Sequence, residues 1–159
     1  MLAIILRFVL LVLFGLLVGT MFGIWVGYNP ASLSAVAYVE QQQNAIRALN
    51  TLLPLIGALC ILIAISLALL SKHDPRARYL YLCAVAFMVV AAMVTRFGNQ
   101  PINAIVMLWS PQSPAANWSE LRDQWWQWHI VRSLAGISAL VLITLAVVAA
   151  KPGHKATAA

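Results

Sequence analysis

The chain has 159 residues, of which 63% are hydrophobic and only 9% charged, with a formal net charge of +6. Soluble domains typically carry about a quarter charged residues, so a water-soluble globular fold is excluded and the bilayer is the solvent. One membrane domain over residues 1–151 accounts for the chain, with 152–159 as a flexible cytoplasmic tail.

Four apolar segments, roughly Leu2–Gly27, Leu49–Leu70, Tyr79–Thr95 and Ile130–Ala150, are each long enough, or nearly so, to cross a hydrocarbon core of about 30 Å. They predict an all-α, integral membrane four-helix up-down bundle, with an interfacial helical segment between the third and fourth helices. The first segment exceeds the roughly 7–15 apolar residues of a signal-peptide core and is read as a retained helix. It carries Gly15, Gly19, Gly23 and Gly27, one glycine every fourth residue. On a helix these form a straight groove for close backbone approach, either inside the bundle or in a homo-oligomer.

The second segment is entered through Glu40-Gln41-Gln42-Gln43-Asn44-Ala45-Ile46-Arg47. Glu40, Asn44, Arg47 and Thr51 recur at helical spacing and predict one polar stripe leading into the membrane, with Pro54 kinking the helix behind it. The short connection Ser71–Arg76 makes the second and third helices antiparallel neighbours. Arg7, Lys72, Arg76, Arg78, Lys151 and Lys155 then fall on one side. The positive-inside rule makes that side cytoplasmic, with both termini inside and a multi-pass arrangement in an inner or plasma membrane. The positive charge is thereby assigned to topology and membrane-lipid contact rather than to nucleic acid. Cys60 and Cys83 lie in different helices without metal-ligand spacing and read as inert thiols.

The third segment runs into Asn99-Gln100-Pro101-Ile102-Asn103, read as a rigid outer turn offering amides to polar oxygens. Five of the six tryptophans follow before residue 130 and predict an aromatic belt or short interfacial helices, one of them over Ile102–Trp109. The fourth segment opens with Trp125-Trp126-Gln127-Trp128-His129-Ile130-Val131-Arg132. Trp125, His129 and Arg132 share a helical face that Ser133 and Gly136 continue inward. The expectation is an outward-facing polar pocket framed by the outer ends of the last three spans and roofed by residues 98–127.

The pattern Asn99-x-Pro101-x-Asn103, followed by a Trp-rich stretch and Trp128-His129-x-x-Arg132, resembles the anthrone oxygenase-like family of small four-helix membrane proteins. The Gln-rich entry to the second span is also similar, and the resemblance covers most of the chain. Some fungal members of that family are linked to oxidation of anthrones to anthraquinones. The resemblance singles out Asn99, Pro101, Asn103, Trp128, His129 and Arg132. It implies an oxygenase-type oxidoreductase acting with dioxygen on a hydrophobic aromatic or quinone-like molecule that enters from the membrane. An anthrone has an acidic benzylic carbon whose anion reacts directly with dioxygen. In this scheme His129, with an ordinary pKa near 6.5, is the general base. Arg132, Asn99 and Asn103 steady the oxyanion, and Trp128 stacks on the substrate. Trp125, Glu40, Asn44, Arg47 and Pro101 complete the substrate-binding set. No metal or other cofactor is required.

Two other readings stand beside it. His129 and Arg132 anchor the fourth helix at the interface, Arg132 pairing with Glu40, in a non-catalytic protein that binds a lipid or quinone or serves as a structural partner. A mononuclear metal held by His129, Glu40 and an amide is the remaining metal arrangement. A haem held by two histidines is disfavoured because His73, His129 and His154 share no depth. No carboxylate lies mid-membrane to couple proton transport.

Overall fold

The computed structural model describes residues 1–149. The expected tail 152–159, with Lys155 and His154, lies outside the described residues, as does Lys151. The architecture is all-α. The long spans are α1 (Leu2–Gly27), α3 (Leu52–Leu70), α4 (Pro75–Val94) and α6 (Trp118–Ala149). Between α1 and α3 stand a single 3₁₀ turn, Pro30–Ser32, and α2 (Ala35–Leu49). α4 runs through a π-helical turn, Thr95–Asn99, into α5 (Gln100–Val106). α1 packs beside α3 and α6, and α4 beside the same two, which closes a four-membered ring of membrane-spanning helices.

Local chemistry explains the boundaries. The Ser34 hydroxyl accepts the Ala37 N–H to cap α2, and the Asp74 carboxylate accepts the Ala77 N–H to cap α4, where Pro75 occupies the first turn. Pro54 does not kink its helix as expected, because α3 begins only at Leu52 and places Pro54 in the first turn, where its missing N–H costs nothing. The break falls instead at Asn50–Thr51, which separates α2 from α3. The Asn99–Asn103 segment is likewise no loop. Pro101 has no N–H to donate to the Phe97 carbonyl, and the wider π turn immediately upstream absorbs that lost bond while the helix continues.

Two cores result. In the half of the bundle that bears the α3–α4 turn, Leu10, Leu67, Tyr81 and Ile143 pack with buried alanines, Ala64, Ala68, Ala84 and Ala139 among them. Such small side chains allow helices to approach where water gives no hydrophobic drive. In the cap at the opposite end, Tyr38, Val39, Ile46, Ile102, Val106 and Trp125 form a second cluster, with Trp109, Trp118 and Trp126 packed around it. The tryptophans therefore build a core more than a belt, and α5, the short helix between the third and fourth spans, buries Ile102, Asn103 and Val106 in the cap while Pro101, Ala104 and Ile105 stay exposed. The same stretch starts α6 twelve residues before the expected Ile130. At 1.5 Å per residue its 32 residues extend about 48 Å, well beyond the hydrocarbon core.

The glycine groove of α1 does not pack inside the bundle. A Cβ built at Gly15, Gly19, Gly23 or Gly27 meets nothing of the chain within 4 Å. Close approach is required elsewhere, at Gly98, where a Cβ would stand 2.6 Å from Trp128 Cγ. Cys60 and Cys83 are both free thiols.

Candidate functional site

Between the two cores lies a cavity of about 380 Å³. Its inner walls are apolar, from Leu17, Met21, Ile61, Met88 and Gly136. Its end toward the cap is polar, from Tyr28, Gln42, Asn50, Asn103, Trp125 and Arg132. A hydrogen-bond network runs through that end. The Tyr28 hydroxyl donates to Gln42 Oε1 (3.2 Å), and Gln42 Nε2 donates to Asn103 Oδ1 (3.4 Å). Asn103 Oδ1 also accepts the Trp125 indole N–H (2.8 Å), while Asn103 Nδ2 donates to Asn50 Oδ1 (2.9 Å). Three side chains, Gln42, Asn50 and Trp125, converge on Asn103, so the polar end is held by partners distant in sequence.

Two cations line the cavity, Arg96 exposed at its rim and Arg132 half-buried at the polar end. Arg132 Nε and Nη2 donate to His129 Nδ1 at 3.1 and 2.8 Å. Among the described residues the one ion pair is Arg122–Asp123, so no carboxylate neutralises Arg132. Its Nη1 has no hydrogen-bond partner in the described chain. A cation lining an apolar cavity without a counter-charge is costly unless something anionic, or developing negative charge, meets it.

His129 itself is fully buried and lies behind Arg132, outside the cavity lining. Its Nε2 sits 3.1 Å from the Met21 carbonyl oxygen. Arginine only donates and a carbonyl only accepts, so these partners fix the neutral tautomer with the proton on Nε2. The ring lies parallel to the Trp125 indole, 5.2 Å between centroids, and within 18° of Trp126. Both nitrogens are thus engaged, and neither faces the cavity. Ser133, one turn inward, donates its hydroxyl to the His129 carbonyl (2.7 Å).

The other expected residues divide sharply. Arg132, Asn103 and Trp125 come together on the cavity. Asn99 is buried behind it, donating to the Trp125 carbonyl at 3.0 Å and leaving its own Oδ1 without a partner. Trp128 points elsewhere, 39% exposed and packed on Gly98, because it stands about 100° around the helix from His129 and flanks the Trp125–Arg132 face. Pro101 is exposed on α5. Glu40, Asn44 and Arg47 lie on the exposed face of α2, Arg47 reaching only Asn44 (3.5 Å). The anticipated Glu40–Arg132 pair and the His129–Glu40 metal arrangement are both ruled out by that placement.

The inward face of α2 is the one sequence reasoning passed over. Val39, Gln42, Gln43 and Ile46 are buried at i, i+3, i+4 and i+7. Gln42 enters the network, and Gln43 donates to the Val106 and Trp109 carbonyls (3.0 and 2.9 Å), tying α2 to the turn that follows α5. The alternation of aliphatics with amides on one stripe was the available signal. α2 therefore roofs the cavity together with Gln100, Asn103 and Trp125 of the 98–127 stretch. Tyr38 on the same side is wholly buried with no partner for its hydroxyl, and burial pushes its phenol above the ordinary range.

A family model described as anthrone oxygenase matches residues 43–142, more than half of the chain. The chain belongs to the anthrone oxygenase family. That match includes Asn99, Asn103, Trp125, His129 and Arg132, and so spans most of the cavity's polar end. No curated protein and no solved structure matches the chain.

Proposed function

We propose that this member of the anthrone oxygenase family oxidises a hydrophobic fused-ring ketone of the anthrone type with dioxygen, inside the cavity and with Arg132 as the electrostatic centre. The observation that carries the reading is the Arg132 guanidinium, half-buried and without a carboxylate partner, at the polar end of a cavity whose remaining walls are apolar. Its volume of about 380 Å³ falls in the range of small-molecule pockets, about 300–1,000 Å³.

The chemistry follows from the substrate's acidity. Loss of a proton from the carbon opposite the carbonyl converts an anthrone into an aromatic oxyanion. Arg132 Nη1 is the donor for that oxygen, and the apolar walls strengthen the interaction relative to water. The proton leaves through the polar end to water, since no lining residue is a carboxylate or a free imidazole. The anion passes one electron to dioxygen, and recombination forms the carbon–oxygen bond. The returning proton gives a hydroperoxide. Loss of the remaining hydrogen at that carbon, with cleavage of the O–O bond, releases water and leaves the second carbonyl. One anthrone and one dioxygen yield one anthraquinone and one water.

His129 acts through Arg132 in this scheme, as a positioning residue rather than the base. The Asn103 network holds the substrate's polar edge, and Trp125 contributes an indole face beside the guanidinium, whose Cζ lies 5.8 Å from the ring centroid. The end bearing Arg7, Lys72, Arg76 and Arg78 faces the cytoplasm by the positive-inside rule, and the cavity then lies in the outer half of the membrane. The test is oxygen uptake by the purified protein in lipid discs on addition of anthrone, with product analysis. The expected result is one anthraquinone per dioxygen and no accumulated peroxide. Absence of uptake above the spontaneous rate across several anthrones would reject the reading.

A further inference from the structure

The cavity has closed walls and an open one. None of the lining residues from α1 or α6 is exposed: Leu17, Met21, Trp125 and Gly136 are buried, and Ile24 and Arg132 half-buried. The exposed members of the lining all come from the other side. Pro54 and Ala58 belong to α3, Ala92 to α4, Arg96 to the π turn, and Gln41 to α2 at the top. Two alanines and a proline cannot fill the space between two helices. Gly57 and Ala91 lie just behind them, so the gap continues inward to the cavity.

What surrounds the gap is lipid. Leu55, Leu59 and Leu62 on α3, and Val89, Val90 and Met93 on α4, are all exposed aliphatic side chains on membrane-spanning helices. Arg96 sits one turn above Ala92, where a long cationic side chain snorkels to headgroups, and it marks the upper rim. Access from water is obstructed, because α2 covers the top with buried Gln42 and Ile46.

We propose that the apolar aromatic substrate enters, and its product leaves, directly from the bilayer through a lateral portal between α3 and α4, bounded by Pro54, Ala58, Ala92 and Arg96. The proposal rests on the reading that the cavity takes such a molecule. An anthrone and an anthraquinone both partition into hydrocarbon, so neither has to cross the water-facing cap. Passage through a constriction slows entry and exit alike. A change at the portal therefore alters both rate constants by the same factor and leaves the equilibrium untouched.

The variants are Ala58→Leu and Ala92→Leu, both apolar and compatible with lipid contact. The probe is 1-hydroxyanthraquinone, followed by stopped-flow quenching of tryptophan fluorescence in lipid discs. Association and dissociation should both slow by about tenfold or more while Kd stays within about threefold. Unchanged rates, or slowing produced by Gln41→Trp instead, would overturn the portal. A second arm does not depend on the substrate. A nitroxide is placed at Ala91→Cys in a Cys60→Ala/Cys83→Ala background, and its collisions with dissolved oxygen and with an aqueous nickel chelate are compared. Oxygen should dominate, and adding Ala58→Leu should reduce its access; dominance of the chelate would refute entry from lipid. Failure of the probe to bind wild type together with oxygen-dominated access would count against the proposed substrate and for the portal.

Discussion

Replacing His129 separates two roles that the sequence alone leaves merged. In His129→Ala, Arg132 loses the acceptor for two N–H groups, and the Met21 carbonyl loses a donor. Hydrogen bonds to charged groups contribute about 1.5–3 kcal/mol each, discounted here because both share one nitrogen. The void left beside Trp125 and Trp126 adds about 1–2 kcal/mol. The expected loss is about 3–5 kcal/mol, with Arg132 freed from its orientation toward the cavity. His129→Asn keeps an acceptor near the Nδ1 position, so it should lose about 1–2 kcal/mol and retain measurable turnover with the wild-type pH profile. Thermal unfolding in detergent gives the first comparison, and oxygen uptake across pH the second. A general base gives the opposite pattern, since asparagine takes up no proton and would be as inactive as alanine. An Ala variant as stable as wild type, or an Asn variant that binds ligand normally yet is dead, would refute the positioning role.

Other substitutions probe the surroundings. Gly98→Ala gains about 1 kcal/mol of helix propensity but drives a methyl to 2.6 Å from Trp128 Cγ, an overpacking cost of about 1–3 kcal/mol. It should lower the unfolding temperature, and Trp128→Leu should recover part of the loss. Tyr38→Phe removes a buried hydroxyl that has no partner and should stabilise the cap by about 1 kcal/mol, read from the same melting curves. Glu40→Gln and Arg47→Ala alter only the exposed face of α2. Their anthrone oxidation should stay within about twofold of wild type, as expected of surface changes.

The sequence made much of this legible. Apolar run length gave α1 and the end of α3 at their observed positions, and charge asymmetry pointed to a polar site at one end. Helical spacing put Trp125 and Arg132 on one face, and both line the cavity. What stayed hidden depends on partners far along the chain. Polarity suggested that Glu40, Asn44 and Arg47 turn inward, yet the cap's interior is itself built of amides, and Gln42 finds Asn103 sixty-one residues away. Tryptophan abundance read as a membrane belt because nothing local announced that Tyr38 and Val39 would cover those rings. His129 looked available for proton transfer, and only the approach of the Met21 carbonyl, 108 residues distant, engages its second nitrogen.

The central claim is that Arg132 creates the reactive anion, and it is tested most directly before oxygen is admitted. Anthrone is mixed anaerobically with the protein in lipid discs near neutral pH, and the absorption of the anthrone anion is recorded. Wild type should show the anion at once and lose it when oxygen enters, with anthraquinone appearing in its place. Arg132→Gln should bind the neutral ketone without forming the anion, and turn over about 10²–10³-fold more slowly. Equal anion formation in that variant would contradict the account.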